Sequence, residues 1–309
     1  MATRIFYALQ NVLVAGTPLK GVQTVGASST TNLESFSAFG SLAAHTILQD
    51  MDLELTVESA LGDGWNSALN LLGYTTFSAD FFDTANDITI QYLTSTGTMV
   101  AIKLNAVLTS YQVQMGTDGP ATESLTFQNA GTAVFTTATG GSALGVSSEN
   151  ICDVITRPNF TSFNEYYREN CCSADAAVST PVTNLLSFSA SMDAGNEKIN
   201  VLGQSMPFGK FATFPIETSM EIERHLDPST ASMGSFNSGT ISGNSLVDAC
   251  YNPTAVLGGH TYSLNGARLA SISRSGGDVG GGNVSISQSY TGYNDFGYSN
   301  GGVTTTSAP

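Results

Sequence analysis

Few side chains in this 309-residue sequence offer chemistry, and most of those that do are carboxylates. Their densest run is DMDLELTVESA (50–60), where Asp50, Asp52, Glu54, Thr56 and Glu58 share one parity and Met51, Leu53, Leu55 and Val57 the other. A strand sends successive side chains to opposite faces, so this segment is a ribbon with an acidic side and an oily side. As an acid–base pair, Glu54 and Glu58 stand roughly 13 Å apart, beyond the roughly 5 to 10 Å of a hydrolase's carboxylates; Glu54 with Asp52 would be close enough, but nothing nearby suggests a substrate pocket. As a metal site the row lacks histidine, and no Dx[DN]xDG loop occurs. What remains is the solvated side of an amphipathic strand.

The other reactive groups form no constellation. His45, His225 and His260 are scattered, with no partner at ligand spacing. Of the four cysteines (Cys152, Cys171, Cys172, Cys250), none sits in a CxxC, and they do not make a disulfide framework. The vicinal Cys171-Cys172 pair reads as reduced, partly buried thiols. Gly21–Gly26 has the glycine spacing of a phosphate loop but no following lysine, and GxSxG is absent. Aromatic residues are interleaved with acids, the wrong charge for a nucleic-acid stacking platform. These readings point to a protein that is not an enzyme and needs no metal or cofactor.

The elements that must carry the acidic row are strands. Charged residues are only 11% of the chain, against a usual share of about 25%, and there are 32 glycines. Sheet surfaces must then be covered by Ser, Thr, Asn and Gly, which suits an all-β protein with many tight turns. The 25 acids against 10 bases give a net charge of −15, which disfavours ordinary binding to phosphates. No run of about 20 apolar residues could span a membrane. MATRIFYALQNV is too short in its apolar part for a signal peptide, so the protein reads as not secreted, and the two Asn-x-Ser/Thr matches (Asn159, Asn283) as accidental.

The chain repeats itself. Sliding it by 163 positions lays VGASSTTNLESFSAFGSL (25–42) on FSASMDAGNEKINVLGQS (188–205), with Ala27 on Ala190 and Ser28 on Ser191. The same slide lays DMDLELTVESA on TFPIETSMEIE (213–223), with Glu54 on Glu217 and Glu58 on Glu221. At an offset of 160, IKLNAVLTSYQVQMGTDG (102–119) lies on YSLNGARLASISRSGGDV (262–279). The predicted organisation is a first β domain over 1–130, a connector or insertion over 131–183, a second β domain over 184–292 and a low-complexity tail over 293–309. DGWNSALNLLGY (63–74) predicts a short helix capped by Asp63 and ended by Gly73.

RIFYALQNVLVAGTPLKGVQTVGASSTTNLESFSAFGSLAAHTILQDMDLELTVESALGDG (4–64) resembles the opening of bacteriophage tail tube proteins. The shared pattern is a "GVQ-hydrophobic-G" strand, a Phe-x-x-Phe-Gly loop and an alternating acidic strand. LLSFSASMDAGNEKINVLGQSMPFGKFATFPIETSMEIE (185–223) is similar to a second such domain, with its L-G-x-x-x-P-[FY] loop and FP-[IV]-E strand. The resemblance implies two tandem β-sandwich or barrel modules, with one or two short helices, that join edge to edge into rings. Rings stack into a tail tube in the virion, assembled in the host cytoplasm, and DNA passes down it without specific binding.

Two such domains per chain imply a pseudo-hexameric ring of three copies, favoured over a ring of six. The carboxylates of Asp50, Asp52, Glu54, Glu58, Glu217, Glu221 and Glu223 are then expected to face the lumen. The loops at 38–48 and 202–212, with Phe39, Leu42, His45, Met206, Pro207, Phe208 and Phe211, are expected at domain or ring-stacking contacts, being too oily for free loops. The implied partners are further copies of the chain and other tail proteins. A tail hub or tail-completion ring of the same fold, or a virion surface decoration protein, is the alternative.

Overall fold

The computed structural model describes residues 5–37, 44–94, 99–130, 134–138, 153–168, 178–202, 208–225, 250–276 and 284–301. These form an all-β fold. The first half contains β1 (Ile5–Val14), β2 (Thr17–Pro18), β3 (Val22–Ser37), β4 (Ala44–Ala60), α1 (Ala68–Leu71), α2 (Ala79–Asp83), β5 (Asn86–Thr94), β6 (Met99–Gly116), β7 (Thr122–Asn129) and β8 (Val134–Ala138). The second contains β9 (Phe160–Arg168), β10 (Val178–Val182), β11 (Leu185–Asp193), β12 (Asn196–Ile199), β13 (Gly209–Ala212) and β14 (Glu217–His225). It continues through β15 (Cys250–Leu257), β16 (His260–Leu264), β17 (Arg268–Ser275), β18 (Ser285–Tyr293) and β19 (Phe296–Asn300).

One antiparallel layer runs through both halves in the order β3-β4-β7-β6-β11-β14-β18-β17. The second layer is built differently in each half. β6 bends at a bulge between Leu108 and Ser110; its first part pairs with β5 and β8, its last part with β7 and β11. In the second half that course is divided by Asn265 and Gly266: β16 belongs to a five-stranded sheet, β10-β9-β15-β16-β19, and β17 to the long layer. The layers meet through rings of Phe163 and Tyr262 on Phe188, and of Tyr251 on Tyr290. Alternation produces this core: β7 buries Glu123, Leu125, Phe127 and Asn129 while Ser124, Thr126 and Gln128 face outward.

Irregularities recur in both halves. β3 carries an extra residue between Val22 and Thr24, opposite Ser59 and Glu58; β11 carries one between Leu185 and Ser187, opposite Arg224 and Glu223. The break in β6 opposite Thr126 and Phe127 matches that in β17 opposite Ser289 and Tyr290. Gly21 and Asn184 both adopt positive φ, 70° and 60°, and their carbonyls accept from the amides of Ala60 and His225. Geometrically, then, Val22 corresponds to Leu185, Glu58 to Glu223, Thr56 to Glu221, Glu54 to Ser219 and Asp52 to Glu217. The ungapped slide sets Glu54 on Glu217, two residues out of this register.

Other expectations need correction. The stretch 131–183, expected as a connector or insertion with some ordered structure, contains β8, β9 and β10, and β9 is the central partner of β10 and β15. The stretch from 293, read as a tail, contains β19, whose Phe296 and Tyr298 are buried. The helix cap is Ser67, whose side chain accepts from the Leu69 amide, and the helix is only Ala68–Leu71. Cys250 is disulfide-bonded, where the sequence showed no disulfide framework; its partner lies outside the described residues.

Candidate functional site

The outward side of the long layer is a continuous polar surface. β4 presents Glu54, Thr56 and Glu58; β7 Ser124, Thr126 and Gln128; β6 Gln112 and Gln114. β11 adds Ser187, Ser189 and Ser191, β14 Glu217, Ser219, Glu221 and Glu223, β18 Ser287, Ser289 and Thr291, and β17 Ser271 and Ser273. Arg268, opposite Thr291, is a cation on the same face. Glu54, Glu217 and Glu221 are exposed, and Glu58 and Glu223 are half-buried. Their cross-strand neighbours are mostly Ser and Gln: Glu54 faces Gln128, Glu58 faces Ser124, and Glu221 lies between Ser189 and Ser289, whose hydroxyl donates to it at 3.3 Å. Glu217 is opposite Asp193, which accepts from the Gly195 amide at 3.2 Å. This is an anionic surface on which carboxylates are set among hydroxyls and amides, with a shallow depression lined by Glu221, Glu223, Ser271, Ser273, Ser287 and Ser289.

Asp52 is drawn out of that row. The β12–β13 hairpin crosses onto the first half and gives it two ion pairs, from Lys198 and from Lys210 at 2.7 Å. Lys210 is 1% exposed and also donates to Gln128 and Asn129, while Asn196 donates to Gln128 and the Ala212 amide to Asp83. Asp50 is on β4 opposite Asn32, and His45 is on β4 opposite Phe36, with both side chains outside the described residues. Phe39, Leu42, Met206 and Pro207 lie wholly outside them. Phe208 and Phe211 are exposed on the hairpin.

The two ends of the long layer are β3 and β17, each with one edge unpaired among the described residues. In the middle, β6 meets β11 with Met115 opposite Phe188, Val113 opposite Ala190 and Tyr111 opposite Met192, all buried. The residues of β3 that correspond to Phe188, Ala190 and Met192 are Val25, Ala27 and Ser29. Val25 is half-buried and the other two are exposed. On β17, Leu269 and Ile272 correspond to the buried Leu108 and Tyr111 and are only half-buried.

Two buried carboxylates went unforeseen. Glu123 accepts from Ser59 Oγ at 3.0 Å, Ser67 Oγ at 2.7 Å, the Ala68 amide at 3.0 Å and Tyr111 OH at 3.3 Å. Burial pushes its carboxyl above the ordinary value of 4.5, and the four donors oppose that shift. From Tyr111 the network passes to Tyr262 of the second half, at 3.3 Å. Nearby, His260 bridges Tyr298 OH and the Gly62 carbonyl, and burial lowers its affinity for a proton. Glu165 on β9 is likewise pushed up by burial, with Tyr290 and Arg224 opposing the shift. The signal in the sequence was a glutamate on the apolar parity of TESLTFQN and of FTSFNEYYR.

No protein-family model and no curated protein matches the sequence. Among solved structures, the chain is similar to one from the virion of a native gene transfer agent particle, at 13% identity and a TM-score of 0.33. That match covers 42% of this chain and 98% of the other. It is also similar to a chain from the tail of an empty gene transfer agent particle of C6 symmetry, at 14% identity and a TM-score of 0.31, covering 41% of this chain and 94% of that one.

Proposed function

We propose that this chain is a structural subunit of a phage-type tail tube, built from two copies of one tube domain. Three chains would close into a ring of six domains, and rings would stack into a tube that conducts DNA in the virion tail. The carrying observation is the internal junction. The last strand of the first half's layer, β6, is covered by the first strand of the second half's layer, β11, while the corresponding strands β17 and β3 each have one edge unpaired among the described residues, with Leu269, Ile272 and Val25 only half-buried. Repeating the β6–β11 pairing between chains would complete both edges. A head-to-tail contact of this kind makes a ring when its rotation closes, and closure is one way to remove the hazard of open edges.

The polar face then lines the lumen. DNA carries about one negative charge per 1.7 Å of axis, and carboxylates among hydroxyls and amides would repel it over a screening length of about 8 Å. Glu54, Glu58, Glu217, Glu221 and Glu223 serve as a non-stick lining in this reading, and Asp52 serves the hairpin. Other tail proteins would meet the ends of the tube.

The internal register, Gln112 opposite Ser191, transfers to Ser273 opposite Ser28 of the next chain. A Ser28→Cys, Ser273→Cys variant should therefore cross-link between chains on oxidation into covalent trimers. Cross-linking confined within single chains, or an open-ended covalent ladder, would overturn the ring.

A further inference from the structure

The β12–β13 hairpin brings Lys210 of the second half against the end of β7 in the first. Lys210 Nζ lies 3.4 Å from Asn129 Oδ1 and 2.7 Å from Asp52 Oδ1, and its side chain is 1% exposed. Asn129 is buried as well, and its Oδ1 accepts a 3.0 Å hydrogen bond from the Leu53 amide. An amine, a carboxamide, a carboxylate and a backbone N–H therefore converge in one dry place. Those are the nucleophile, electrophile, base and oxyanion donor of an acyl transfer.

Two features ease the passage of a proton from Lys210 to Asp52. Burial disfavours the ammonium, and Lys198 sets a second ammonium on the same carboxylate. Gln128 Oε1 is also 3.4 Å from Nζ, but Gln128 is half-buried on the outward face and its oxygen is shared with the Asn196 side-chain amide. Asn129 is the amide shielded from water and polarised by a backbone donor.

We propose that Lys210 and Asn129 join in an isopeptide bond that ties the hairpin of the second half to β7 of the first. Lys210 hands one proton to Asp52, and the freed Nζ lone pair attacks Asn129 Cγ once the carboxamide turns its face toward it. The new C–N bond forms, and the negative charge that gathers on Oδ1 is held by the Leu53 N–H. A second proton moves from Nζ to Nδ2, the Cγ–Nδ2 bond breaks and ammonia leaves. Asp52 returns its proton to the ammonia, which departs as ammonium and leaves the carboxylate paired with Lys198. Nothing is oxidised or reduced. Fixed proximity replaces an encounter in solution, and the product removes a buried charge from a site where charge is costly. The bond would close a loop between residues 81 positions apart, whatever the chain assembles with outside itself.

Intact mass and peptide mapping of the purified, reduced and unfolded full chain test it. The parent should be lighter than its sequence by one ammonia and should yield a branched peptide joining Lys210 to Asn129. Lys210→Met and Asp52→Asn should keep the full sequence mass and give no branch, and Asp52→Glu should restore the branch, as a base would and a packing contact alone would not. Because the first two variants both lack the bond, any difference between them in hairpin protection reports the ion pairs alone. A parent chain at full sequence mass overturns the proposal. So does loss of ammonia with no branched peptide, or a branch at Gln128. A branch that forms as fully in Asp52→Asn as in the parent overturns the role of Asp52.

Discussion

Glu123 sits in the core because four donors converge on it from β4, the cap of α1 and β6. Replacing it with Ala leaves those donors unanswered and opens a cavity, and should cost about 3 kcal/mol in denaturant unfolding. Glu123→Gln tests the charge itself. A carboxyl raised by burial stabilises the fold fully below its unfolded value, and that contribution is lost as pH rises through the folded value. Relative to the parent, Glu123→Gln should gain stability as pH rises above the ordinary carboxyl value of 4.5. A difference that stays flat across that window would show that burial does not shift this group. Glu123 was visible in the sequence only as a carboxylate on an oily parity. Its donors come from 55 to 64 positions away, apart from Tyr111, and no local spacing announces them.

The hairpin β12–β13 is the element whose placement depends most on charge. Asp52→Asn would leave Lys210 charged, 1% exposed and without its carboxylate, which should destabilise the docked hairpin by about 3 kcal/mol. Lys210→Met keeps the Asp52–Lys198 pair and should cost much less. Hydrogen exchange of the amides at 196–199 and 209–212 reads the difference; equal protection in both variants would mean that the ion pairs do not hold the hairpin. At this scale the sequence was partly legible. The alternation in DMDLELTVESA set the faces of β4 correctly, because parity survives any slide by two residues. For the same reason parity could not fix the register between the halves, which only the shared bulges reveal. β9 was hidden because Glu165 occupies an apolar position, blurring its alternation. β19 was hidden in a Gly-rich stretch whose signal is Phe296 and Tyr298, two apart.

For the whole molecule, the low charge content and the pattern of acids describe a protein that presents a wet anionic sheet on one side and keeps its apolar contacts at strand edges and ends. In the proposed ring the β6–β11 junction is the template for contacts outside the chain: the same pairing, applied from β17 to the next β3, would set neighbours, register and the face that turns inward. The most direct measurement is the mass and symmetry of the smallest closed assembly of purified protein, by native mass spectrometry with negative-stain microscopy of the same sample. The expected result is a ring of three times the 32.1 kDa chain mass, six similar lobes around a central hole, and stacks of such rings at higher concentration. A ring of six chains, or a protein that stays monomeric at all concentrations, would contradict it.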